Sequence, residues 1–166
     1  KQILAAETMV VVEDLYRPYR PKRRTRAMIA KEKGLEPLAA LITLQKAEKP
    51  IEVYAEEYVN PEKEVKSVKE AIDGAKDIIA ESVSDEADYR SWIRKATVQH
   101  GKVISQAKDE KAESVYEMYY DFEEPVTKLA GHRVLALNRG EKEKFLTVKI
   151  EAPQDDILRY LEKKMI

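Results

Sequence analysis

Val65, Val68, Ile72, Ala75 and Ile79 recur at spacings of 3, 4, 3 and 4. Only the 3.6-residue period of an α-helix gathers such positions on one face, and the Lys and Glu residues between them supply the solvated face. The stripe predicts a helix from Asn60-Pro61, a cap residue followed by proline at the first helical position, to about Val83. Glycine is scarce, 5 in 166 residues, which argues against a sandwich or barrel with its many tight turns. Apolar residues make up 43% of the chain and charged residues 37%, enough of the former for a buried core. The fold class is therefore mainly α: a multihelical chain with one or two short β-strands, of a length that suits a single domain over residues 1–166.

Local signals place the other elements. Residues 3–16 read as a helix ended by Pro18, and Pro18 with Pro21 predicts an extended segment over Tyr16–Arg24. Thr25 is a predicted N-cap for a helix over Arg26–Lys33 stopped by Gly34, and Pro37 suits the first turn of a helix over Glu36–Gln45. Pro50 opens a short helix to Val59. Ser84 reads as the cap of a helix to about Gln99, terminated by Gly101, with Tyr89, Trp92, Ile93 and Ala96 inward. Val103–Ser105 is a short extended piece, Lys108–Tyr120 a helix, and Gly131–Asn138 a short helix stopped by Gly140. Leu146–Ile150 alternates apolar and polar residues and predicts a strand. A last helix covers about Asp155–Lys164, with Ile157, Leu158 and Leu161 inward.

Several chemistries are excluded by residue type. The chain has no cysteine, so it has no disulfide, thiolate zinc site or cysteine nucleophile, and this fits a reducing cytosol. His100 and His132 are its two histidines, too few for a histidine metal site. No apolar run approaches the ~18 residues of a membrane span, so no membrane partner is expected. The glycines read as helix stops rather than phosphate cradles, so no cofactor is expected. The chain opens on Lys1, already in a helical pattern, and is expected to be a piece of a longer protein.

The net charge of −1 hides an asymmetry. From Arg17 to Lys33 there are eight basic residues against one acid, while the remainder holds 22 basic and 30 acidic residues. Within that segment Arg17, Tyr19, Arg20, Lys22, Arg23, Arg24 and Arg26 interleave cations with an aromatic ring. Guanidinium forks match phosphate oxygens, and rings offer stacking faces to unpaired bases, so these residues are candidates for nucleic-acid binding, to RNA or single-stranded DNA. The competing reading has the arginines paired with acids of other helices and the tyrosines wedged between them. Together the two predict Arg17 and Arg20 close to the fold, Lys22, Arg23 and Arg24 close to solvent, and Tyr16 and Tyr19 packed beneath. Pro18-Tyr19-Arg20-Pro21 also has the form of a proline-helix ligand, a weak signal.

Candidate catalytic groups are poor. Asp121, Glu123 and Glu124 could hold a divalent cation, but no phosphate loop or nearby histidine supports that use, and they read as a solvated turn ending a helix. Asp85-Glu86 fits the first turn of the helix that Ser84 would cap. His132 and Arg133, at a predicted helix start, are further candidates for phosphate contact, against a capping or packing role. Tyr116, Tyr119 and Tyr120 have the spacing of a core stripe, and Trp92 reads as core. The chain is not expected to be an enzyme.

The stretch Glu13–Arg26, continuing through Ala30-Lys31-Glu32-Lys33-Gly34-Leu35-Glu36-Pro37-Leu38-Ala39, resembles the N-terminal region of the bacterial Tex family of transcription accessory proteins. Further matching motifs follow in the family's order: Ala71–Glu81, Tyr119–Pro125 and His132–Glu141. The resemblance implies a multihelical, helix-turn-helix-containing part of a cytosolic RNA-binding protein, followed by a nuclease-like domain, helix-hairpin-helix elements and an OB-type domain. It implies a non-catalytic scaffold for nucleic-acid binding in transcription, whose partners are nucleic acid and the other domains of the same protein. The alternative is a protein-interaction module, docking on the transcription machinery or on the rest of its own chain.

Overall fold

In the computed structural model, which describes residues 2–166, the chain is mainly helical with one small sheet. It gathers into two compact units, Lys1–Ser91 with Lys164–Ile166, and Trp92–Lys163.

The first unit is built around one long helix. Its helices are α1 (Met9–Tyr16), α2 (Arg26–Glu32), α3 (Glu36–Leu44), α4 (Ile51–Ala55) and α5 (Val68–Asp85). α2, α3 and α4 all pack on α5. Their core holds Leu35, Leu38, Ala55, Val65, Ala71, Ala75 and Ile78, with Ile72 and Ile79 half-buried at its edge. Small residues let α2 and α5 approach closely. A Cβ on Gly74 would stand 2.4 Å from Leu35 Cδ1 and 3.4 Å from the Ala30 Cβ.

Several predicted boundaries move. The helix expected from residue 3 is a 3-10 turn at Ile3–Ala5, then α1, which Thr8 caps by accepting from the Val11 amide. The helix expected from Asn60-Pro61 is a 3-10 turn closed by Glu64 in the left-handed region, with φ 57°. Ser67 caps the true start by accepting from the Glu70 amide, and Glu70 Oε2 accepts from the Lys66 amide, so a Ser-x-x-Glu capping pair outcompetes the Asn-Pro signal. The buried face is therefore Ala71, Ala75 and Ile78 rather than Ile72 and Ile79. Ser84, expected as a cap, lies inside α5. Thr25, by contrast, caps α2 by accepting from the Met28 amide, and Gly34 ends it at φ 81°.

The second unit contains the sheet. α6 (Ala87–His100) leads through Gly101 into β1 (Lys102–Ala107), the middle strand of an antiparallel sheet with β2 (Asp121–Pro125) on one side and β3 (Leu146–Glu151) on the other. α7 (Gly131–Lys142) packs on β3, and α8 (Gln154–Met165) follows it. Val103, Tyr116, Tyr119, Leu137 and Leu146 form the core. Trp92 is half-buried, stacked on Tyr160 with ring centroids 3.9 Å apart. On α8, Ile157 and Leu161 are half-buried but Leu158 is exposed.

No helix covers Lys108–Tyr120. Asp109 Oδ1 accepts from the Lys111 amide, Ser114 Oγ accepts from the Tyr116 amide, and the Tyr120 hydroxyl donates to the Ala112 carbonyl at 2.6 Å. These local bonds offer the backbone an alternative to helix. Tyr116 and Tyr119 are core residues as expected, but from a loop and a 3-10 turn. Asp121–Pro125, read as a helix-ending turn, is an edge strand, where acids and a proline cost no ladder partner. Gly140 is buried within α7 rather than stopping it. A Cβ there would stand 2.5 Å from Leu146 Cδ1 and 3.1 Å from Tyr116 Cδ1.

Candidate nucleic-acid interface

α1 ends at Tyr16, and Pro18, whose fixed φ suits a first turn, continues the chain as a 3-10 turn over Arg17–Tyr19. The extended stretch begins only at Arg20 and runs to the Thr25 cap. It lies along a row of carboxylates on α5: Asp77, Glu81 and Asp85, four residues apart and so on one helix face. Arg17 Nε donates to Asp85 Oδ1 at 3.1 Å, and Lys22 Nζ donates to Asp85 Oδ2 while lying 3.7 Å from Glu81. Arg26 stands 3.5 Å from Asp77, and Arg24 donates to Glu32 of α2 at 2.7 Å.

Asp85 is the hub. Burial raises its carboxyl, but the hydrogen bonds and charges of Lys22 and Arg17 outweigh that and hold it below its ordinary value. It closes α5 rather than opening α6, so its role is not that of a first-turn acid. The row at 77, 81 and 85 is the feature that sequence reading passed over, although its spacing was visible.

Four of the six cations from Arg17 to Arg26 thus meet four carboxylates, and the order of burial differs from the expected one. Lys22, expected near solvent, is held with its side chain 21% exposed. Arg20, expected near the fold, is exposed, as is Arg23, and neither forms an ion pair among the described residues. Tyr19 is 79% exposed and Tyr16 is 47% exposed, so neither packs beneath the cations. Arg24 and Arg26 stay largely solvated despite their partners. The segment therefore carries two unpaired guanidinium groups, two partly engaged ones and an open phenol ring.

His132 and Arg133 belong to the other compact unit. His132 is exposed at the start of α7. Arg133 Nη1 contacts both oxygens of Glu124 at 2.8 Å, with its guanidinium carbon 5.7 Å from the Phe122 ring centroid. That geometry ties α7 to β2. Strand alternation turns Glu123 to the opposite face from Glu124, where Lys102 Nζ donates to it at 2.5 Å, a bond that raises the lysine above its ordinary value. Among the described residues no group of three His, Asp or Glu side chains is placed to hold a metal ion.

Residues 45–165 match the family described as Tex central region-like. The chain belongs to the Tex family. It is 52% identical over 158 residues to an uncharacterized protein, YdcI, of Bacillus subtilis, covering 93% of this chain and 22% of that protein. It is 41% identical over 157 residues to Protein tex of Bordetella pertussis, covering 93% of this chain and 20% of the relative. More distantly, it is 28% identical over 173 residues to the human S1 RNA-binding domain-containing protein 1, covering 96% of this chain and 17% of that one. The chain spans about a fifth of the length of the Tex relatives it matches. The basic stretch precedes the matched family region, whereas α5, with its carboxylate row, lies within it.

Proposed function

We propose that this Tex region is a non-catalytic helical scaffold of a transcription accessory protein, and that it adds a polyanion contact of its own to RNA binding by the whole protein. The observation that carries the reading is the pairing pattern, in which Arg20 and Arg23 are exposed without an ion pair among the described residues, beside the open Tyr19 ring. Exposed guanidinium groups bind phosphate at little desolvation cost, and a free phenol can stack on an unpaired base. Relatives named as a transcriptional accessory protein and as an S1 RNA-binding domain-containing protein support the same direction. The helix-turn-helix that the family resemblance implies belongs to the same reading. The engagement of Glu123 by Lys102 and of Glu124 by Arg133 supports the non-catalytic part. The cytosol, beside the transcription machinery, is the proposed location, and no helix among the described residues is long and apolar enough to cross a membrane.

A salt titration of single-stranded RNA binding tests this. Each phosphate contact contributes a log–log slope of roughly −0.7 on single strands, so replacing Arg20 and Arg23 by alanine should flatten the slope by about 1.4. A protein-interaction module would show little RNA binding at any salt and no response to the double change. Cleavage of RNA with magnesium, lost on Asp121→Asn with Glu123→Gln, would overturn the non-catalytic reading.

A further inference from the structure

Of the four paired cations in the basic stretch, three are held by a single helix. Arg26 meets Asp77, Lys22 lies between Glu81 and Asp85, and Arg17 meets Asp85, so the stretch runs antiparallel to α5 along about 12 Å of its surface. The partners of a phosphate and the partners of these carboxylates are the same guanidinium and ammonium hydrogens, and a cation bonded to one is less available to the other.

We propose that the Asp77–Glu81–Asp85 row is a built-in competitor for nucleic-acid phosphate, which screens the basic stretch and yields its cations only to a ligand carrying several phosphates. The inference rests on the polyanion reading above and adds its regulation. Arg20 and Arg23 make the first contact because nothing has to be broken to engage them. Arg26 is next, since its side chain is 86% exposed and its carboxylate lies at 3.5 Å. Arg17 and Lys22 are last, because both bond to Asp85, whose side chain is only 15% exposed. Solvated ion pairs contribute little each, so a polymer that exchanges several of them together can displace the row, while one isolated phosphate gains too little. The acids thereby favour polymeric over mononucleotide anions without touching either.

The test measures binding of a fluorescein-labelled oligouridylate of about 12 nucleotides to the 166-residue chain across a salt series, with melting curves for every variant. Asp85→Asn should tighten binding about five- to tenfold at low salt and steepen the slope by up to about 1.4, as Arg17 and Lys22 become free. Glu57→Gln removes the same charge from an exposed site outside the row and should tighten binding less than twofold. Equal tightening by both would mean net charge alone is responsible and would overturn the inference. So would a folded Asp85→Asn chain that binds no tighter than the parent. If Asp85→Asn does not fold, Asp77→Asn replaces it, with a slope steeper by about 0.7, and no change there overturns the inference as well. Replacement of Arg20 and Arg23 by alanine reports separately on the parent reading. Loss of binding there with no effect of Asp85→Asn removes only the competitor role. No binding by either the parent chain or Asp85→Asn removes both.

Discussion

Lys22 and Asp85 form an ion pair between side chains 63 positions apart, joining the stretch before α2 to the last residue of α5. Arg17 shares the same carboxylate. Asp85→Ala would leave two cations without their partner and should lower stability by about 1–2 kcal/mol in urea unfolding at neutral pH. The sign of the pH dependence follows from the lowered carboxyl. A native-state value below the unfolded one means the stabilisation is complete above the ordinary carboxylate value of about 3.9 and is lost as pH falls through the native one. The unfolding midpoint of the parent chain should therefore fall more steeply below about pH 4 than that of Asp85→Asn. Parallel acid limbs would contradict the pairing.

The face of α5 gives a second prediction. Ile78 is buried in the core, while Ile72 sits half-exposed at its edge. Ile78→Ala should cost about 2–4 kcal/mol and Ile72→Ala clearly less, because the edge can collapse or admit water. Thermal melts of the two variants side by side decide it, and the reverse order would mean that the helix is rotated.

Gly140 and Gly131 lie on the same helix with opposite surroundings. A Cβ at 140 meets Leu146, which is fully buried and cannot swing away, whereas a Cβ at 131 meets nothing within 4 Å. Gly140→Ala should destabilise by about 1–3 kcal/mol despite the better helix propensity of alanine, and Gly131→Ala should be neutral or slightly stabilising. Chemical denaturation of both reads the difference.

Ser105 on β1 is fully buried, and its hydroxyl has no hydrogen-bond partner among the described residues. Its register neighbours are Phe122 and Val148, so the oxygen faces apolar side chains. An unsatisfied buried hydroxyl costs about 1–3 kcal/mol, and Ser105→Ala keeps nearly the same volume, so that variant should melt higher than the parent. A lower melting temperature would mean that the hydroxyl is satisfied.

What the sequence alone determined is whatever depends on neighbours in the chain. Thr25 as a cap, Gly34 as a stop, Pro37 in a first turn, the alternation of Leu146–Ile150 and the final helix all follow from bonds and φ angles within a few residues, and all stand in the fold. The concentration of charge between Arg17 and Lys33 was legible for the same reason. Tertiary structure decided the rest, because burial and pairing depend on what arrives from elsewhere. The inward face of α5 was set by Ala30 and Leu35 closing on Gly74, which a pattern of large apolar residues cannot register. Lys108–Tyr120 has helical spacing, yet its hydroxyls and carboxylate bond locally and its tyrosines are drawn into the sheet core. Composition could count the cations of the basic stretch but not apportion them. Only the placement of α5 beside Arg17–Arg26 takes Lys22 from solvent and leaves Arg20 there, since a charge is paired or free according to distances that the linear order does not contain.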